Sequence, residues 1–188
     1  MIEIGVWPPV HDFLVRALTP ISMRKIFAGA ALFLYVVCAH AIDSMSAELG
    51  SGTRSINLWR VGVQWEADPA WLAASRWDLY WDLSVGSWHS DTGTVHDVGL
   101  TPVFRYARGV RGPYFEGAIG FHVLSDSHIS TDLRFGTRFQ FGDHLGVGYR
   151  FNDTYDLGLR LQHLSNGGMR NPNPGVNFLE LRLQYYLR

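Results

Sequence analysis

Hydrophobic and polar residues alternate along most of this chain. Trp77, Leu79, Trp81, Leu83 and Val85 fall on one parity, and Asp78, Tyr80, Asp82 and Ser84 on the other. Successive side chains of a strand point to opposite faces, so a period of two marks a β-strand with one apolar face. The same pattern sets Phe115, Ile119, Phe121 and Val123 against Glu116 and His122. It sets Leu145, Val147, Tyr149 and Phe151 against Gly146, Gly148 and Arg150, and Leu157, Leu159 and Leu161 against Asp156, Gly158, Arg160 and Gln162. Eight strands are predicted, at 42–50, 55–66, 76–88, 95–107, 113–124, 138–151, 155–165 and 176–187. Turn residues separate them, as in Gly50-Ser51-Gly52, Asp68-Pro69, Asp91-Thr92-Gly93 and Asn152-Asp153.

The polar parity carries Asp78, Asp82, Glu116, Arg150, Arg160, Glu180 and Arg182, several of them mid-strand. Inside a small closed barrel such charges pair with one another, while the apolar parity meets lipid. Aromatics make up 14% of the chain and tryptophans number seven, a composition suited to membrane interfaces. Runs of about ten residues suit tilted membrane-spanning strands, and closure leaves no unpaired edge in lipid. The predicted fold class is therefore all-β, an eight-stranded antiparallel transmembrane β-barrel of the outer membrane. A periplasmic, lipocalin-like barrel alternates in the same way and is the architectural alternative.

The first 41 residues follow another logic. Met23-Arg24-Lys25 is basic, Ile26 to Val37 is apolar, and Ala39-His40-Ala41 has the small-x-small form of a cleavage site. That is the layout of a secretory signal peptide. We expect the true start at Met23, residues 1–22 to be an extension, and cleavage after Ala41, so that 42–188 is the barrel. The single cysteine, Cys38, would leave with the signal, and the barrel would carry no disulfide or thiolate chemistry. The formal net charge is −1, which gives no basic surface for nucleic acid.

Candidate chemistry lies at the end of the seventh run, His163-Leu164-Ser165-Asn166-Gly167-Gly168, followed by Asn171-Pro172-Asn173-Pro174-Gly175. Strand parity puts His163 and Ser165 on one face, the outward one, where a base could activate a hydroxyl. The Asn-Gly-Gly that follows offers backbone donors for an oxyanion. Ester hydrolysis needs those parts and no metal.

The run His163-x-Ser165-Asn166-x-Gly168, then Pro172-Asn173-x-Gly175, resembles the lipid A 3-O-deacylase family (PagL). The resemblance extends over the predicted barrel in length, leader and strand plan. It implies an eight-stranded outer-membrane barrel whose site faces lipid, and hydrolysis of the ester-linked acyl chain at the 3-position of lipid A by a Ser-His-acid triad. It makes Ser165 the nucleophile and His163 the general base, and puts Asn166, Gly168 and Asn173 at the oxyanion site. It implies no cofactor. Lipid A within lipopolysaccharide and outer-membrane lipid are the expected partners, and a homodimer is compatible with both.

The resemblance breaks at one position. The family has an acid fourteen residues after the histidine, and here that residue is Asn177. An asparagine can orient an imidazole but stabilises its charged form less than a carboxylate does. Asn177 is the expected orienting residue, with Glu180 as a fallback, although its parity points it into the barrel. The departure supports the rival reading, a non-catalytic barrel with a structural or binding role. Lesser candidates are His89 with Asp91, His96 with Asp97, the stretch Ser125 to His128, and the cluster Arg105, Arg108 and Arg111.

Overall fold

The computed structural model describes residues 42–187; the leader, the Met23 start, Cys38 and the Ala41 cleavage site lie outside the described residues. The strands are β1 (Ser44–Gly52), β2 (Asn57–Ala67), β3 (Trp77–His89), β4 (Thr94–Ala107) and β5 (Gly112–Leu124). A short hairpin follows, β6 (His128–Ser130) and β7 (Leu133–Arg134), and then β8 (Phe139–Arg150), β9 (Tyr155–Ser165) and β10 (Val176–Tyr186). The long strands form one closed antiparallel barrel in the order β1-β10-β9-β8-β5-β4-β3-β2, with β1 pairing β2 to complete the ring. All eight predicted strands are present to within two residues at either end. The β6–β7 hairpin is additional, because two strands this short carry no readable period.

Parity has the expected physical outcome. Leu49, Val61, Val85, Ile119, Leu145, Leu161 and Leu179 are exposed on the outer wall, while the opposite parity is buried. In water so much exposed aliphatic surface would be a liability; around a closed barrel it is the lipid-facing band. Aromatic pairs flank the band. Trp77 with Tyr106 and Tyr155 with Tyr185 sit near one rim, their ring centres 5.4 and 5.2 Å apart. Phe121, Phe139 and Phe141 cluster near the other, with Phe139 and Phe141 5.2 Å apart.

Side chains fill the interior in two layers. In the middle Arg60, Arg105, Arg160 and Arg182 bind Glu48, Asp82, Asp97, Glu116 and Asp156 at 2.6–3.6 Å. Arg160 Nε donates to Glu116 at 2.6 Å, and Tyr80 donates to the same carboxylate at 2.9 Å. Buried charges are tolerable only when paired and hydrogen-bonded in this way. At the rim where β9 ends and β10 begins, the filling turns apolar: Ile56, Trp88, Leu124, Leu164, Val176 and Phe178 join Ile129, Leu133 and Phe135 from the hairpin region. Trp88 meets Phe178 edge-on at 5.1 Å. This plug forms the floor beneath the candidate site.

Candidate active site

His163 and Ser165 are the last outward residues of β9. Leu164 between them is fully buried in the plug, which pins the parity of both neighbours. Two residues of strand span about 6.7 Å, near enough for the two side chains to converge on one reacting group. β10 runs beside β9 with Asn177 directly opposite His163. His163 Nδ1 lies 2.7 Å from Asn177 Oδ1. An amide oxygen only accepts, so His163 carries its proton on Nδ1. Nε2 is then the basic nitrogen.

The loop 166–175 is tied to itself. Asn166 is fully buried. Its backbone N–H donates to Asn173 Oδ1 at 2.9 Å, its side-chain amide donates to the Arg170 carbonyl at 2.6 Å, and its Oδ1 accepts from the Gly168 N–H at 3.0 Å. The Gly167 N–H donates to Ser165 Oγ at 3.4 Å. The sequence-predicted oxyanion residues Asn166, Gly168 and Asn173 are therefore brought together, but Asn166 spends its groups on the loop. Because Asn173 Oδ1 accepts from Asn166, the Nδ2 end of that amide is left as a donor.

Gly175 closes the loop with φ +67°, and a Cβ there would stand 2.7 Å from His163 Cε1. The imidazole thus occupies the space that a side chain at 175 would need. Arg54 Nη1 donates to the Gly175 carbonyl at 3.2 Å, and Thr53 Oγ1 accepts from the Asn177 N–H at 3.3 Å. Sequence reasoning passed over this support from the loop after β1, since nothing local to Thr53 or Arg54 marks it.

A second omission lies on the other side of His163. In β8, Asp143 is directly opposite His163 and Phe141 directly opposite Ser165. Asp143 shares parity with Leu145 and Val147 on the outer wall and is exposed there. The tight turn around Asp153 would have fixed that register from the sequence. From the site, a surface groove of about 830 Å³ descends between Ile119, Leu145 and Leu161.

The fallback Glu180 faces inward, fully buried, with Arg60 Nη1 donating to it at 3.4 Å. It lies on the opposite face from His163. The lesser candidates disperse. His96 Nδ1 pairs with Ser87 Oγ at 2.7 Å, while Asp97 turns inward to Arg60 and His122. Asp91 accepts from Thr131 Oγ1 at 2.7 Å, and that bond lowers its pKa below the ordinary carboxylate value. Arg105 lies inside the barrel and lines one cavity together with Arg108, whereas Arg111 pairs with Asp153 in the open, so the three arginines form no single cluster. Among the described residues no group of His, Cys, Asp and Glu is set to hold a metal.

A ring of eight strands with an apolar outer wall, an ionic interior and a polar cluster at one rim is a small outer-membrane β-barrel. The model of the family described as Lipid A 3-O-deacylase (PagL) matches residues 58–186. Lipid A deacylase PagL of Bordetella bronchiseptica is 35% identical over 87% of this chain and 99% of its own length. Its namesake from Pseudomonas aeruginosa is 32% identical over 85% and 96%. A crystal structure of the outer membrane enzyme PagL superposes with a TM-score of 0.67 at 29% identity, over 75% of this chain and 97% of that one. The chain belongs to the lipid A 3-O-deacylase family, and it is an outer-membrane enzyme.

Proposed function

We propose that this chain hydrolyses the ester-linked acyl chain at the 3-position of lipid A, with Ser165 as nucleophile and His163 as general base. The observation that carries the reading is the bond from His163 Nδ1 to Asn177 Oδ1, which leaves Nε2 as the nitrogen free to take a proton. In the first half-reaction Ser165 Oγ attacks the ester carbonyl and its proton passes to His163 Nε2. The Asn173 amide, whose Nδ2 is left as a donor, is the group assigned to the tetrahedral oxyanion. Collapse breaks the ester C–O bond, His163 returns the proton to the departing alkoxide, and the acyl group remains on Ser165. Water, deprotonated by His163, then releases the fatty acid and restores the serine.

The position of the site on the outer wall supports a substrate that diffuses in the membrane plane. The groove below His163 is lined by Ile119, Leu145 and Leu161 and suits an acyl chain lying along the barrel. The relatives named above are lipid A deacylases, and the same substrate is the one proposed here. We further propose that the barrel at 42–188 is what remains after a leader ending at Ala41 is removed.

Mass spectrometry of lipid A from cells making the protein tests this. Loss of one hydroxyacyl group with the wild-type chain, and none with Ser165→Ala, is the expected result. An unchanged lipid A from a correctly folded wild-type barrel would favour the non-catalytic reading, to which the amide at 177 lends its support.

A further inference from the structure

We infer that Asp143 supplies the negative charge that the amide at position 177 lacks, acting as a positioning residue that holds and stabilises His163 when it is protonated. The inference rests on the esterase reading above. Asp143 is opposite His163 across the β8–β9 ladder, on the same outward face, and both line the same groove. Directly opposite residues of an antiparallel pair have Cβ atoms about 4.5–5.5 Å apart, so the two side chains leave the wall side by side.

Asp143 needs an explanation where it stands. It is flanked on its strand by the outward Phe141 and Leu145 and across β5 by Ile119. It has no hydrogen-bond or ion-pair partner among the described residues. A charge on the lipid face of a barrel is destabilising unless it is compensated. The one group beside it that gains positive charge during hydrolysis is His163. On the far side of the ring, Asn177 from β10 contributes an uncharged dipole. From the loops, the charged group on this side is Arg54, whose Nη1 donates to the Gly175 carbonyl. Asp143 is thus the anion that faces His163 from the elements packed around it, the interior carboxylates lying on the opposite face of the sheet.

A nearby opposite charge favours the charged form of a titrating group. Proton transfer from Ser165 creates the imidazolium, so the carboxylate stabilises the transition state more than the ground state. Asn177 then orients the ring while Asp143 provides the field, two roles that one acid fills in a Ser-His-acid triad.

The test is deacylation kinetics of the purified full-length mature barrel on lipopolysaccharide in detergent micelles, over a range of pH. Asp143→Asn is expected to lower kcat at least tenfold with KM unchanged, and to move the acid limb of the pH–rate profile to lower pH. Asp143→Leu, an apolar residue suited to the lipid face, should lose as much. In an Asn177→Glu background, Asp143→Asn should cost less than threefold, since the charge is already present. Wild-type kcat and pH profile in Asp143→Asn would overturn the inference while loss of activity in Ser165→Ala leaves the esterase reading intact. An equal loss in both backgrounds with an unmoved profile would also overturn it. Undiminished release by Ser165→Ala would overturn the esterase reading itself.

Discussion

At the scale of single residues, the site depends on one close approach. The His163 ring lies against Gly175, whose φ of +67° is a left-handed conformation that L side chains rarely adopt. Gly175→Ala would place a methyl group 2.7 Å from His163 Cε1, so the ring must move. A displacement of about 1 Å in a reacting group costs on the order of 10²-fold in rate. We expect Gly175→Ala to lose about that much deacylation while still migrating as a folded, heat-modifiable barrel on a gel. Asn173→Ala should be similarly severe, by roughly 10²–10³-fold in kcat, if its Nδ2 donates to the oxyanion; single-turnover acylation rates would read this directly. His163, Ser165 and the Asn177 partner were legible because strand parity and a motif spacing determine them. Asp143 was missed for a different reason. Its significance lies in register, a relation between two runs, and within its own run it looks like a stray charge.

At the scale of elements, β8 and β9 meet at Gly148 and Gly158, which leave room for the inward Tyr114 ring. A Cβ at Gly148 would fall 2.2 Å from Tyr114 Cζ, and Tyr114 Oη donates to Asp156 at 3.0 Å. Gly148→Ala should therefore overpack the interior and destabilise the barrel by about 1–3 kcal/mol. A lowered urea midpoint with unchanged kcat in the folded fraction would meet this expectation, because the site end of β9 is untouched. The eight long strands were legible because lipid on one side and packed charge on the other impose a strict period over ten or more residues. The β6–β7 hairpin was not. Its strands are too short for a period, and its apolar Ile129, Leu133 and Phe135 take their meaning from a plug assembled out of distant segments.

At the scale of the whole molecule, the ionic interior joins strands from all around the ring. Glu116 of β5 accepts from Arg105 of β4, Arg160 of β9 and Tyr80 of β3. Removing that carboxylate leaves two guanidinium groups short of a buried partner, and such a break costs about 3–5 kcal/mol. Glu116→Ala should thus lower folding yield and the urea midpoint more than Gly148→Ala does, as refolding into detergent would measure. The polar parity of the sequence predicted that these charges would pair, but not which ones, since the partners depend on how the strands stagger when the ring closes.

The apolar plug beneath the site and the ionic layer beyond it occupy the barrel from the site end inward. Their consequence concerns the cell's permeability barrier. A protein that works on the lipid beside it has no use for a lumen, and this one is stoppered. Inserted into a planar bilayer under voltage, it should produce no stepwise ionic current, and bacteria that make it in quantity should stay as impermeant to small hydrophilic antibiotics as before, apart from changes in the lipid itself.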